Sequence, residues 1–210
     1  VSKVLGVLKD TKRTEAVAAE GDRYGIVAVR DLLGVNQPER TKVESIWNQV
    51  GYVTPSTSVL ETTDLILGNG VSAVRLVDGS EVRLVSQQDI LDALMDVGDL
   101  KKTSAKSIMT SPVLTMEEDS PIAQIRRTMM DKNYSFIPVT EDGKLAGMVT
   151  AEEIVNTFVT TASKTTRGDR SGQKVTRFPG QANAIMNRQP LTVPTTASAM
   201  DVIKGMVSRG

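Results

Sequence analysis

The 210-residue chain contains neither cysteine nor histidine. Without cysteine it has no disulfide framework and no thiolate nucleophile. Without histidine as well, Ser-His-Asp triads, Cys-His pairs and nearly all zinc sites are excluded. Aromatic residues make up only 3 %. No charge sign dominates: Lys plus Arg and Asp plus Glu each number 25. A balanced chain lacks the overall positive field of a dedicated nucleic-acid binder. Nor does any apolar run approach the roughly 18 residues that span a bilayer. Val1 to Asp10, with Lys3 and Lys9, reads as amphipathic rather than as a signal peptide. The expectation is a cytoplasmic protein with no catalytic residues and no metal site. The first residue is Val1, not methionine, so a fragment or an incompletely recorded chain is expected.

What is present is a repeat. Ser45-Ile46-Trp47-Asn48, Ser107-Ile108-Met109-Thr110 and Ala184-Ile185-Met186-Asn187 begin three similar segments. Residues 102–160 show the plan most fully. Pro112 to Met116 predicts a short strand closed by Glu117-Glu118-Asp119, with Ser120 as N-cap and Pro121 at the first helical position. Ile122, Ile125, Met129 and Met130 follow at helical spacing. Ser135 to Val139 and Leu145 to Thr150 predict two strands joined by a turn at Glu141-Asp142-Gly143. A helix from Ala151 then carries Ile154, Val155, Phe158 and Val159 on one face. The unit is β-α-β-β-α, an α/β (α+β) plan.

Residues 40–98 repeat it. Tyr52-Val53 is the short strand, Leu60 to Leu67 the first helix, and Ser72 to Val77 and Val82 to Val85 the hairpin strands around Asp78-Gly79. Ile90 to Val97 predicts the closing helix. Residues 1–35 match the second half of the unit, from a helix remnant at Val4, Leu5, Val7 and Leu8 through Gly25-Ile26-Val27 to Asp31-Leu32-Leu33. Residues 182–210 match the first half. A sheet of two or three strands does not close a core alone, so the repeats are expected to pair through their sheets. The interval 161–181 carries Lys164, Arg167, Arg170, Lys174 and Arg177 against Asp169 alone and reads as a mobile linker. Trp47 is expected to pack between repeats, and Met109, Met129, Met130 and Met186 to fill core positions.

This unit resembles the CBS domain, named after cystathionine β-synthase. The resemblance rests chiefly on Ser107-Ile108-Met109-Thr110, Tyr134-Ser135-Phe136-Ile137-Pro138-Val139 and Gly147-Met148-Val149-Thr150-Ala151-Glu152-Glu153. It implies tandem repeats paired into Bateman modules, a homodimeric disc, and regulation of an enzyme or transporter. It also implies an adenine nucleotide (AMP, ADP or ATP) or S-adenosylmethionine bound in clefts between repeats.

The residues themselves offer a physical basis for such binding. A hydroxyl at a helix N-terminus and a carboxylate three residues on place free N–H groups and a positive dipole near phosphate. The carboxylate supplies two acceptor oxygens for the ribose hydroxyls. Ser86 and Asp89 fit this pattern. Thr150 and Glu153 fit it with a longer acid than the family prefers. Asp31 keeps the acid, but Ala28 replaces the hydroxyl, and Arg30 stands beside it as a phosphate partner. The resemblance adds Thr110, Tyr134, Ser135, Phe136 and Pro138 as candidate cleft residues.

The same residues have a plainer reading. Thr150-x-x-Glu153 is a capping box and Ser86-x-x-Asp89 is close to one, and any helix can begin this way. The clefts would then be degenerate and the chain a scaffold for dimerisation or partner binding. A third reading has the stretch from Lys164 to Arg177 contact nucleic acid through charge alone. Only Phe178 there offers a base a stacking surface.

Overall fold

The computed structural model describes residues 1–159 and 178–208. The basic residues from Lys164 to Arg177 lie outside the described residues. The chain divides into two units: Val1–Gln49 with Leu114–Gln189, and Val50–Val113 with Pro190–Gly210.

In the first unit, helix α1 (Ser2–Thr11) leads into the hairpin β1 (Glu15–Glu20) and β2 (Arg23–Ala28), followed by a 3-10 turn at Val29–Gly34. The third repeat supplies β6 (Met116–Glu117), α5 (Ile122–Lys132), β7 (Phe136–Glu141), β8 (Lys144–Thr150) and α6 (Ala151–Ile154), which continues as a π-turn at Val155–Val159. β6 runs parallel to β7, and β7 antiparallel to β8. The β7–β8 turn holds Asp142 and Gly143 at φ 49° and 74°. This doubly left-handed geometry is what a two-residue hairpin needs and what Asp-Gly tolerates. Along β7 the period-two pattern sends Ile137 and Val139 inward and leaves Phe136 57 % exposed.

The core of this unit is built from Ile122, Ile125 and Met129 of α5, Leu32 and Leu33 of the 3-10 turn, and Ile154, Val155 and Val159. The two repeats meet here through helical segments. Arg126 of α5 donates Nε–H to the Leu33 carbonyl at 2.6 Å and lays its guanidinium over Phe178, 4.2 Å from the ring centroid. Phe178 also packs on Phe158, with centroids 5.4 Å apart. Phe178 is buried and so offers no stacking surface to a nucleic-acid base.

The second unit holds β3 (Tyr52–Val53), α2 (Val59–Gly68), β4 (Ala73–Asp78), β5 (Glu81–Ser86), α3 (Gln87–Leu94), the short α4 (Ala105–Ile108) and α7 (Ala199–Val207). Its sheet order is β3-β4-β5, again parallel then antiparallel. Its buried cluster is smaller: Val53, Ile66, Val71 and Val74. Residues 103 and 105 bond through their backbones to Ala199 and Ala197, which ties the start of α4 to the start of α7.

The mixed α/β plan expected from the repeat is the one observed, with four local departures. The strand expected over 112–116 forms only at Met116–Glu117. Pro112 has no N–H to donate, and β7 offers only Val139 and Thr140 as partners. The α5 cap falls on Pro121 rather than Ser120, because the Ser120 carbonyl is taken by the Ala182 N–H. The helix expected from Ile90 to Val97 begins earlier, at Gln87, where Ser86 caps it. Met109 and Met130 are each 46 % exposed rather than core. Met130 follows Met129 by one residue, about 100° around the helix and off the buried stripe.

One device appears twice in the first unit. Asn48 exchanges both backbone hydrogen bonds with Ile26 of β2, at 2.8 and 3.0 Å, and Asn187 does the same with Met148 of β8, at 2.9 Å each. Each junction is crowded against a glycine. A Cβ at Gly25 would lie 2.5 Å from the Trp47 ring, and one at Gly147 would lie 2.7 Å from the Asn187 carbonyl oxygen. Trp47 therefore packs on the strand of the preceding repeat. Gly25→Ala is expected to cost about 1–3 kcal/mol by overpacking. In thermal or urea unfolding that cost should shrink when Trp47 is also alanine; equal costs in both backgrounds would contradict the contact.

Candidate functional site

Each hairpin ends where a helical segment begins, and the junction is built the same way three times. Strand register sets the last residue of one strand opposite the first of its neighbour: Glu15 with Ala28, Ala73 with Ser86, Phe136 with Thr150. The first N–H of the following segment then donates across the junction, Val29 to the Thr14 carbonyl, Gln87 to Ser72 and Ala151 to Ser135. The acid three residues past the strand end turns back onto the cap.

At the second repeat this places Ser86 and Asp89 together. Asp89 Oδ2 accepts from the Ser86 N–H and from its hydroxyl, both at 2.7 Å, and the Asp89 N–H donates to Ser86 Oγ at 3.3 Å. Oδ1 takes no part in this cap. Asp89 also lines a cleft of about 220 Å³. Its walls are Val53, Leu76, Val85, Ile90 and Ala93, with Thr54, Pro55, Thr57, Val59 and Thr62. Apolar walls with a few converging polar groups are the usual makeup of a small-molecule site. Thr110 is exposed and is not part of that lining. The stretch Thr54-Pro55-Ser56-Thr57 went unread in the sequence. Its signal was a hydroxyl-rich turn directly after the Tyr52-Val53 strand, where Thr57 Oγ1 accepts from the Thr54 N–H at 3.0 Å.

At the third repeat, Glu153 Oε2 accepts from the Thr150 N–H at 2.5 Å and its hydroxyl at 2.6 Å. The longer acid thus curls onto its own cap as an aspartate would. Tyr134 is 43 % exposed, Phe136 stands on the exposed face of β7 and Pro138 is half-buried in the middle of that strand. The first repeat reaches this region: Arg30 Nη1 donates to the Asn133 carbonyl at 3.1 Å and approaches Ser135 Oγ at 3.5 Å. Arg30 and Ser135, singled out separately in the sequence, therefore meet.

At the first repeat the acid is committed differently. Asp31 Oδ2 accepts from the Ala28 N–H at 2.8 Å and from the Asn48 side-chain amide at 2.9 Å. Ala28 returns nothing, so only half of a capping box exists. Burial pushes the Asp31 carboxyl above its ordinary 3.8, against the opposing pull of the Ala28 N–H, the Asn48 amide and the charge of Arg30. Among the described residues no group of acids is arranged to hold a metal ion, and no helix is long and apolar enough to cross a membrane.

Comparison with known proteins gives the following. Residues 105–160 match the CBS domain family. The uncharacterized protein MJ1404 of Methanocaldococcus jannaschii is 29 % identical over 98 % of this chain and 50 % of its own length. The L-aspartate semialdehyde sulfurtransferase of the same organism is 30 % identical over 48 % of this chain but only 20 % of its own length. The chain spans about half the length of the first curated relatives it matches. Among solved structures, protein MJ1225 of Methanocaldococcus jannaschii, reported as a candidate archaeal homologue of g-AMPK, superposes with a TM-score of 0.81 at 17 % identity. It covers 98 % of this chain and 82 % of that one.

The half-buried acid at position 31 has a consequence for stability. A carboxyl whose pKa is raised on folding holds its proton more tightly in the native state. Native stability then falls as pH rises from the unfolded value through the folded one, and levels off above it. Asp31→Asn keeps an acceptor for Ala28 and Asn48 without the charge. Thermal melts across acid to neutral pH should show this variant gaining on the wild type as pH rises from about 4. A constant difference would show that Asp31 titrates as an ordinary carboxyl.

Proposed function

We propose that the chain, whose residues 105–160 match the CBS domain family and whose fold is that of protein MJ1225, is a regulatory module whose second repeat binds an adenine nucleotide. The observation that carries this reading is the position of Asp89, an acid at a helix start that also lines an apolar-walled cleft. Its Oδ2 is held by the cap and its Oδ1 is left for a ribose hydroxyl. At about 220 Å³ the cleft is smaller than the roughly 300 Å³ at the low end of ligand pockets. In this reading the cleft holds only the nucleoside part of the ligand. Val85 and Leu76 would flank the base, Asp89 would hold the sugar, and the phosphates would lie at the open side. A bound ligand shifts a conformational equilibrium only by its differential affinity for the two states, so regulation follows if the cleft differs between them. A homodimeric disc and a cytoplasmic location belong to the same reading, as does a regulated enzyme or transporter. The junction where Thr150 and Glu153 cap the helix start and Arg30 approaches Ser135 is a second candidate on the same chemistry.

A scaffold role is favoured by a separate observation. The acids at 89 and 153 each complete a capping box, worth about 0.5–2 kcal/mol to their own helices without any ligand.

Calorimetric titration with AMP, ADP, ATP and S-adenosylmethionine separates the two. The sensor reading expects binding below millimolar, weakened about ten- to hundredfold by Asp89→Ala, as for a hydrogen bond to a charged group. It also expects weaker binding of 2′-deoxy-AMP, which lacks one hydroxyl for the carboxylate. No binding by any of the four leaves the scaffold.

A further inference from the structure

We propose that the second-repeat cleft selects among adenine ligands by charge, preferring those that are positive or neutral at the 5′ position, such as S-adenosylmethionine, and losing affinity with each added phosphate. This selection rests on the adenine-binding reading of the cleft and ranks the ligands within it. Among the described residues, Asp89 is the one charged group in the lining, and it is an acid. The helices that bound the cleft add to its sign. α2 and α3 supply Val59, Thr62, Asp89, Ile90 and Ala93 to the walls, and they carry Glu61, Asp64, Asp89 and Asp92 with neither lysine nor arginine. Asp92 stands three residues from Asp89, close to one turn along α3 and well inside a Debye length of about 10 Å.

The groups that could receive a phosphate are committed elsewhere. Arg83 lies opposite Leu76 on the cleft face of the sheet, but its guanidinium bonds to Glu81. Arg75 alternates with Val74 and Leu76, so it is directed to the other face. A helix start favours anions through its free N–H groups. At α3 the Ser86 N–H donates to Asp89, the Gln87 N–H to the Ser72 carbonyl and the Asp89 N–H to Ser86 Oγ. A phosphate on the 5′ carbon of the sugar would thus stand near a carboxylate with no lining cation to offset it, whereas a sulfonium there would be attracted. The third-repeat junction is the opposite case, because Arg30 approaches Ser135 there.

The test is equilibrium dialysis on the full chain at low salt with S-adenosylmethionine, S-adenosylhomocysteine, adenosine, AMP and ATP. S-adenosylhomocysteine has a neutral sulfur in place of the sulfonium, so that pair isolates the charge. S-adenosylmethionine should bind about three- to tenfold more tightly than its neutral partner, and ATP about tenfold or more weakly than adenosine. Both ratios should shrink in about 0.5 M salt and in Asp92→Lys. The salt series uses wild-type protein and so covers the case of a poorly folded lysine variant, which thermal melts would reveal. Asp89→Ala should weaken S-adenosylmethionine and adenosine alike. If the sulfonium and its neutral partner bind equally, or ATP binds as tightly as adenosine, while Asp89→Ala still weakens adenosine, charge selection fails and the adenine site stands. If adenosine binding ignores Asp89→Ala, or none of the five binds, the adenine site fails and the selection with it.

Discussion

The first unit depends on a pair of backbone hydrogen bonds made where one repeat hands over to the next. Asn48 on Ile26 and Asn187 on Met148 extend a finished hairpin by one antiparallel step. Each step is possible only because the strand presents a glycine where a side chain would collide, Gly25 under Trp47 and Gly147 under Met186. A strand edge left bare exposes unpaired N–H and C=O groups. Here a segment that belongs by sequence to the following repeat covers part of that edge. The same contact carries the side-chain amide of Asn48 to Asp31.

A second constraint follows from the helix starts. A carboxylate three residues past a strand end is drawn to its own cap because the N–H groups there have no helical partner. That attraction is local and needs no ligand, which is why Ser86 with Asp89 and Thr150 with Glu153 form whether or not a cleft exists. Function has to come from what the cap leaves over: the second carboxylate oxygen and the space beside it. Asp89 has a cleft beside it. Asp31 is drawn toward an amide instead, and burial then raises the cost of its charge. One motif thus stands in different electrostatic settings, determined by neighbours that the motif does not contain.

The anchoring of the first repeat against the third shows how a charged residue serves packing. Arg126 takes a backbone carbonyl of the 3-10 turn with one edge of its guanidinium and covers Phe178 with its face. Partial burial lowers its pKa, but an arginine remains charged, so the cation–π contact persists across ordinary pH. Phe178, at the end of the basic interval, is thereby held in the core beside Phe158.

Much of this was legible in the order of residues. Alternation at Ile137 and Val139, helical spacing at Ile122, Ile125 and Met129, and the Asp142-Gly143 turn are local signals, and the elements they indicate formed. So did the Ser86–Asp89 and Thr150–Glu153 pairs, since a cap is written within four consecutive residues. Strand length at 112–116, the burial of Phe178 and the meeting of Arg30 with Ser135 were not legible. Each depends on which distant segment lies opposite. By itself the sequence determined the repeat, its β-α-β-β-α order and the acids at the helix starts, because short-range hydrogen bonding and periodicity dictate those. Only the tertiary structure decided that Asp89 borders an open cleft while Asp31 is met by Asn48, because a contact across seventeen residues exists only once the backbone has brought its two ends together.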